Sequence, residues 1–203
     1  MVINHITGVL LAGGKSRRMG NDKRSILLSG ETLFNRALGV LKTIFQEVIV
    51  VLGEGDFPIE ATHIKVVHDI IPNRAAAGGL YTGLFYAKNP RIFVVACDMP
   101  FLNPEVIRFM ASLADEGDIH LAQLAHGPQT MHGIYSKRCL PVIEKMVKEE
   151  KLRLQELIRH PSLQVQMIPE SDIMPYDPDL LSFMNLNSPA DLELAKKIKS
   201  PSP

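Results

Sequence analysis

Val9-Leu10-Leu11-Ala12-Gly13-Gly14-Lys15-Ser16-Arg17-Arg18-Met19-Gly20-Asn21-Asp22-Lys23 is the stretch from which the rest of the chain is read. Its first residues, with Gly8 before them, form a short apolar run of the kind that makes a buried strand. Two glycines follow, which let the backbone turn sharply and bring amide N–H groups close to an anion. Lys15, Arg17, Arg18 and Lys23 then set four cations within nine residues, charge suited to a polyphosphate. A strand delivering such a loop at its carboxyl end belongs to an open α/β sheet, where ligands gather at the strand ends.

Two common phosphate motifs are excluded. Gly14-Lys15-Ser16 ends like a P-loop, but that motif needs a glycine five residues before Gly14, where the chain has Val9. Gly8 misses by one position. No G-x-G-x-x-G dinucleotide fingerprint is present either.

Outward from the loop, Ser25–Leu28 reads as a short strand and Ser29-Gly30-Glu31 as a turn. Thr32 is a cap for a helix whose apolar face is Leu33, Ala37, Val40, Leu41 and Ile44. Glu47–Leu52 and Ile64–Val67 read as strands. Ala75–Gly79 reads as a small-residue loop before a helix from Leu80 to about Lys88. Arg91–Asp98 is a strand, apolar until Asp98, and Pro104 opens a helix to Ala114. Later, Ile119–Ala125, Met131–Tyr135 and Gln164–Ile168 read as strands, with helices over 137–150 and 152–159 and a closing helix Pro189–Ile198 capped by Ser188. Apolar strands alternating with helices predict an α/β fold, a mostly parallel central sheet with helices on both faces. We expect a single domain over 1–203, with a nucleotide-binding half (1–115) and an acceptor-binding half (116–199), and a loose tail at 200–203.

With 203 residues, 46% of them apolar, the chain can bury a sizeable core, and its formal net charge of zero argues against a nucleic-acid or membrane-surface partner. No apolar stretch is long enough to span a bilayer. The two cysteines, Cys97 and Cys139, lack metal-type spacing and fit a reducing compartment. A cytoplasmic protein is the expectation.

Three strand ends carry chemistry. The first offers Gly13, Gly14 and the cations, a second Asp69, and a third Asp98. Glycines and cations beside strand-end carboxylates suit a magnesium–nucleotide complex, the carboxylate holding the hard metal. Plainer readings exist: Gly13-Gly14 as a simple turn, Asp98 as a helix cap, Asp69 as a turn residue. The scattered histidines show no ligand spacing; His132 is the one to watch, and Cys97 reads as an inert buried thiol.

Here the residues carry a specific resemblance. Leu11-Ala12-Gly13-Gly14, Ser16-Arg17-Arg18-Met19-Gly20 and Asp22-Lys23 resemble the signature of the molybdenum cofactor guanylyltransferases. Cys97-Asp98-Met99-Pro100-Phe101-Leu102 is similar to that family's second motif, and Asn185-Leu186-Asn187-Ser188-Pro189-Ala190-Asp191-Leu192 to its third. The resemblance implies a Rossmann-like nucleotidyltransferase that joins GMP from GTP to the phosphate of molybdopterin and releases pyrophosphate. It implies GTP contacts at Leu11, Ala12, Gly13, Lys23, Asp69 and Asp98, with Mg²⁺ as cofactor on Asp98. Beside these, Gly14 and Gly78 are candidates for the nucleotide side, Lys15, Arg17 and Arg18 for charge stabilisation, and Asn185 and Asn187 for the acceptor side. Transient contact with cofactor-biosynthesis proteins or molybdoenzymes is the partner expectation that goes with it.

Asp22-Lys23 differs from the sugar-activating relatives, which usually show proline before the loop lysine, and Cys97-Asp98 favours the guanylyl over the cytidylyl branch. Two departures fall near the base. The family's Gly-Pro after the aspartate is replaced by Ala75-Ala76, and an Asn that often follows the second strand is missing, the segment reading Val51-Leu52-Gly53. Guanine or cytosine therefore stays open. A cytidylyl- or sugar-phosphate nucleotidyltransferase of the same fold, or a non-catalytic nucleotide-binding adaptor, are the alternatives.

Overall fold

Strand β1 (Ile6–Ala12) is buried at every residue and lies inside a seven-stranded sheet. Ile6, Leu10 and Ala12 feed one core and Val9 and Leu11 another. That two-sided burial is why the run is apolar without alternation. The structure, a computed structural model, describes residues 1–13, 23–53, 55 and 64–198.

Parallel to β1 run β4 (Val48–Leu52) on one side and β6 (Arg91–Ala96) on the other, and β5 (Lys65–His68) lies parallel beyond β4. The first face is covered by α1 (Leu33–Ile44) and α3 (Pro104–Ser112), the second by α2 (Ala75–Tyr86) and α4 (Cys139–Lys148). Thr32 caps α1, its hydroxyl accepting from the Asn35 N–H at 3.1 Å. Between the first motif and α1, β2 (Leu27–Leu28) and β3 (Glu31–Thr32) form a small hairpin turned at Ser29 and Gly30, both at positive φ, which matches the twist of the two strands.

The second half adds β7 (Ile119–Leu124), β8 (Gly127–Ser136) and β9 (Val165–Pro169), giving the order β5-β4-β1-β6-β8-β7-β9. β8 runs antiparallel to both β6 and β7, while β7 and β9 are parallel. The sheet is thus mostly parallel, as expected. Because β8 is reversed, its first residues reach the same edge as the carboxyl ends of β1 and β6. The chain closes with α5 (Leu154–Leu157), α6 (Glu170–Ile173), a 3₁₀ turn at Leu181–Phe183 and α7 (Pro189–Lys197). No helix among the described residues is long and apolar enough to cross a membrane.

Some expectations need correction. Ala75–Gly79 is no loop: it forms the first turns of α2. Helices with three glycines are intrinsically weak, but here tertiary packing decides. A Cβ added at Gly83 would lie 2.8 Å from Val9 Cγ1, so the missing side chain lets α2 approach β1. Ser25–Leu28 is a 3₁₀ turn (Lys23–Ser25) followed by only a two-residue strand, and the strand expected at Met131–Tyr135 begins at Gly127. α6 and the 3₁₀ turn at Leu181–Phe183 were not foreseen. The tail at 200–203 lies outside the described residues.

Candidate active site

A cleft of about 1080 Å³ opens along the edge where β1, β4, β5 and β6 end. That exceeds what one drug-sized ligand needs. β1 contributes Leu11, Ala12 and Gly13, β4 Leu52 and Gly53, β5 His68 and Asp69, and β6 leads to Asp98. The first turn of α2 adds Ala75 and Ala76. The opposite wall is the start of β8, Pro128–Met131, joined by Asn185 and Asn187. Strands sit roughly 4.8 Å apart, so the three steps from β6 to β5 separate the Asp98 end from the His68 and Asp69 end by about 14 Å.

Gly13 lies where the ends of β1 and β4 run close together. A Cβ there would meet the Gly53 backbone N at 2.8 Å, so the residue is required by the approach of two strand ends. The β1–β6 ladder continues one step further through the Cys97 N–H, which donates to the Leu11 carbonyl at 3.1 Å. This sets Asp98 next to Gly13 across the cleft floor.

Asp69 is held from below. Its Oδ1 accepts from the Thr82 hydroxyl at 2.9 Å and from the Ile71 N–H at 3.0 Å, and the same hydroxyl accepts from the Ile70 N–H at 3.1 Å. Burial raises the Asp69 pKa, opposed by the Ile71 and Thr82 bonds. A Cβ on Gly78 would lie 2.7 Å from Asp69 Oδ2 and 2.6 Å from the Ile71 carbonyl. Gly78 therefore packs under Asp69, and Gly79 lines the cleft in its place. His68 sits beside Asp69, its Nδ1 3.3 Å from the Gly53 carbonyl.

The Asn185–Asn187 segment is fastened across Asp98: the Leu186 N–H donates to the Asp98 carbonyl at 2.9 Å. A capping box on α7 steadies its far end. Asp191 Oδ2 accepts from the Asn187 and Ser188 N–H groups at 2.9 and 2.8 Å, and the Ser188 hydroxyl accepts from the Asp191 N–H at 3.2 Å. Asn185 Nδ2 donates to the Phe183 carbonyl at 3.2 Å. Leu186 also joins Ile26, Leu28, Leu33 and Phe101 in a small apolar cluster, which binds the segments flanking all three motifs to one another.

Of the residues singled out from sequence, Leu11, Ala12, Gly13, Asp69, Asp98, Asn185 and Asn187 meet in this cleft. Gly14, Lys15, Arg17 and Arg18 lie outside the described residues, as does the side chain of Lys23, whose backbone opens the 3₁₀ turn. Arg24, next in the cationic run, lines the cleft and was missed, although the run itself was the signal. His68, Gln129 and Thr130 were missed too. His132 faces away from the cleft, wholly buried between Phe93 and Phe183 at ring separations of 5.2 and 4.6 Å. Cys97 is a buried thiol, as expected.

The family model of the MobA-like NTP transferase domain matches residues 8–165. A probable molybdenum cofactor guanylyltransferase of Pelotomaculum thermopropionicum is 33% identical over 190 residues, 94% of this chain and 91% of the relative. The molybdenum cofactor guanylyltransferase of Desulfosudis oleivorans is 30% identical over 195 residues, 94% of each chain. The chain belongs to the molybdenum cofactor guanylyltransferase family. By that membership it is an enzyme, a nucleotidyltransferase acting in molybdenum cofactor biosynthesis. The crystal structure of molybdopterin-guanine dinucleotide biosynthesis protein A from Archaeoglobus fulgidus shares the fold, with a TM-score of 0.82 at 22% identity over 95% of this chain and 97% of that one.

Proposed function

We propose that the protein transfers GMP from GTP to the phosphate of molybdopterin, forming the guanine dinucleotide cofactor and releasing pyrophosphate. The observation that carries this reading is the meeting of Gly13, Asp98 and the Asn185–Asn187 segment, one from each family motif, on a single cleft. The acceptor phosphate oxygen attacks the α-phosphorus in line, the bond from that phosphorus to the bridging oxygen breaks, and pyrophosphate leaves with the electron pair. The nucleophile is already anionic, so no general base is required. Positioning and charge stabilisation supply the catalysis.

In this reading the floor at Leu11–Gly13 receives the phosphates. Lys15, Arg17, Arg18 and Lys23, with Arg24, neutralise them. The nucleotide extends toward β5, while Asn185, Asn187 and the start of β8 receive molybdopterin, so the two halves of the chain bind the two substrates. The donor chemistry fits Mg²⁺. Among the described residues no group of three or more His, Cys, Asp or Glu gathers to hold a metal, and Mg²⁺ typically takes one or two carboxylates and completes its shell with water and substrate phosphates. Asp98 is that carboxylate. Bound there, the ion would supply charge neutralisation on the reacting phosphates. We place the reaction in the cytoplasm, with transient handover of product to molybdoenzymes.

Incubation with each nucleoside triphosphate and Mg²⁺, with and without molybdopterin, tests the reading by pyrophosphate release. Release from GTP only when molybdopterin is present is the expected result. Transfer from CTP and not GTP overturns the guanylyl assignment, and binding with no release favours the adaptor.

A further inference from the structure

We propose that His68 reads the base, accepting a hydrogen bond from the exocyclic amino group of guanine and so making the site selective for GTP over purine nucleotides without that group. The inference rests on the guanylyl reading and deepens it. His68 is the last residue of β5 and lines the cleft beside Asp69, at the end of the floor about 14 Å from Asp98. A nucleotide with its phosphates at Gly13 and Asp98 spans that distance and brings its base there.

The tautomer follows from the partner. His68 Nδ1 lies 3.3 Å from the Gly53 carbonyl, which can only accept, so the neutral ring carries its proton on Nδ1. Nε2 is then an acceptor. The Gly53 carbonyl thereby fixes the orientation of the His68 ring. The neighbouring Asp69 carboxylate is held by Ile71 and Thr82 and is a second acceptor. An acceptor at Nε2 suits guanine, whose 2-amino group is a donor beside N1–H. Cytosine presents one amino donor next to an acceptor, and hypoxanthine has N1–H alone. Leaving a site acceptor unpaired is what rejects an analogue lacking its donor.

The test is equilibrium binding of GTP, ITP and CTP with Mg²⁺ to the full chain and to its His68→Phe and His68→Gln variants. His68 is exposed, so neither substitution removes a core contact. We expect the native protein to bind GTP at least fivefold more tightly than ITP, about the value of one net hydrogen bond. His68→Phe, a flat ring without an acceptor, should bring that ratio to within twofold of unity, and His68→Gln, which retains an acceptor, should restore part of it. An unchanged GTP:ITP ratio in His68→Phe, or no GTP preference over ITP in the native protein, overturns the proposal for His68. Tighter binding of CTP than GTP by the native protein overturns the guanylyl reading instead, so the two failures are distinct.

Discussion

Replacing His132 by leucine should remove an acid-sensitive defect from the core. His132 is 0% exposed, its two ring nitrogens have no hydrogen-bond partner among the described residues, and it lies edge-on to Phe93 and against Phe183. Desolvation lowers its pKa from 6.5 to about 3. The unfolded chain thus binds a proton as pH falls below 6.5 while the folded protein does not. Stability linked to His132 is complete above pH 6.5 and is lost as pH falls toward 3. At about 1.36 kcal/mol per pH unit, the ceiling is about 5 kcal/mol, of which about 2 kcal/mol is gone by pH 5. Leucine has nearly the volume of histidine and no polar atom, so it should fill the site without this penalty. Urea unfolding at pH 7.5 and pH 5 measures the difference. Between those pH values the native protein should lose about 2 kcal/mol more than His132→Leu, a relative midpoint shift on the order of 1 M. His120, also buried with a lowered pKa, is common to both proteins and cancels. Equal pH dependence in the two, or a large loss of stability in His132→Leu at pH 7.5, would refute the reasoning.

Other expectations concern the cleft. Asp98→Asn should abolish magnesium-dependent turnover, and near-normal activity in that variant would sink the metal assignment. Gly78→Ala places a methyl 2.6 Å from the Ile71 carbonyl and 2.7 Å from Asp69 Oδ2. It should cost about 1–3 kcal/mol in urea unfolding and weaken GTP binding; a variant unchanged in both would show that this packing does not set Asp69. Leu186→Ala should cost about 2–5 kcal/mol as a buried truncation and raise the KM for molybdopterin more than that for GTP, whereas equal changes in both would contradict the assignment of this segment to the acceptor.

Much of the nucleotide side was readable because buried strands and strand-end chemistry have local signatures. The run through Ala12 breaks at Gly13, and the run ending at Ala96 meets Asp98, so both polar ends stand out against apolar sequence. Strand direction has no such signature. Nothing in Gly127–Ser136 announces that it pairs antiparallel between β6 and β7, and Pro128 near its start is a residue rare inside strands. The glycines of α2 act against their local signature: residues that break isolated helices here permit close contact with β1. The histidines carry no metal spacing that would mark His68, and its setting depends on the Gly53 carbonyl at the end of the neighbouring strand β4, 15 residues away in sequence. Gly78 came close, one residue from the Gly79 that lines the cleft.

The apolar cluster around Leu186 bears on the order in which the molecule is made. β9, the last strand of the sheet, is complete at Pro169, and everything needed to assemble the seven strands has by then been synthesised. Asn185, Asn187 and the leucine between them come later. A nascent chain would therefore build its scaffold before the wall that crosses Asp98, and could not bring the three motifs together until the Asn185–Asn187 segment had emerged and docked against Ile26, Leu28 and Phe101. Competence for chemistry would arrive only after the sheet has formed.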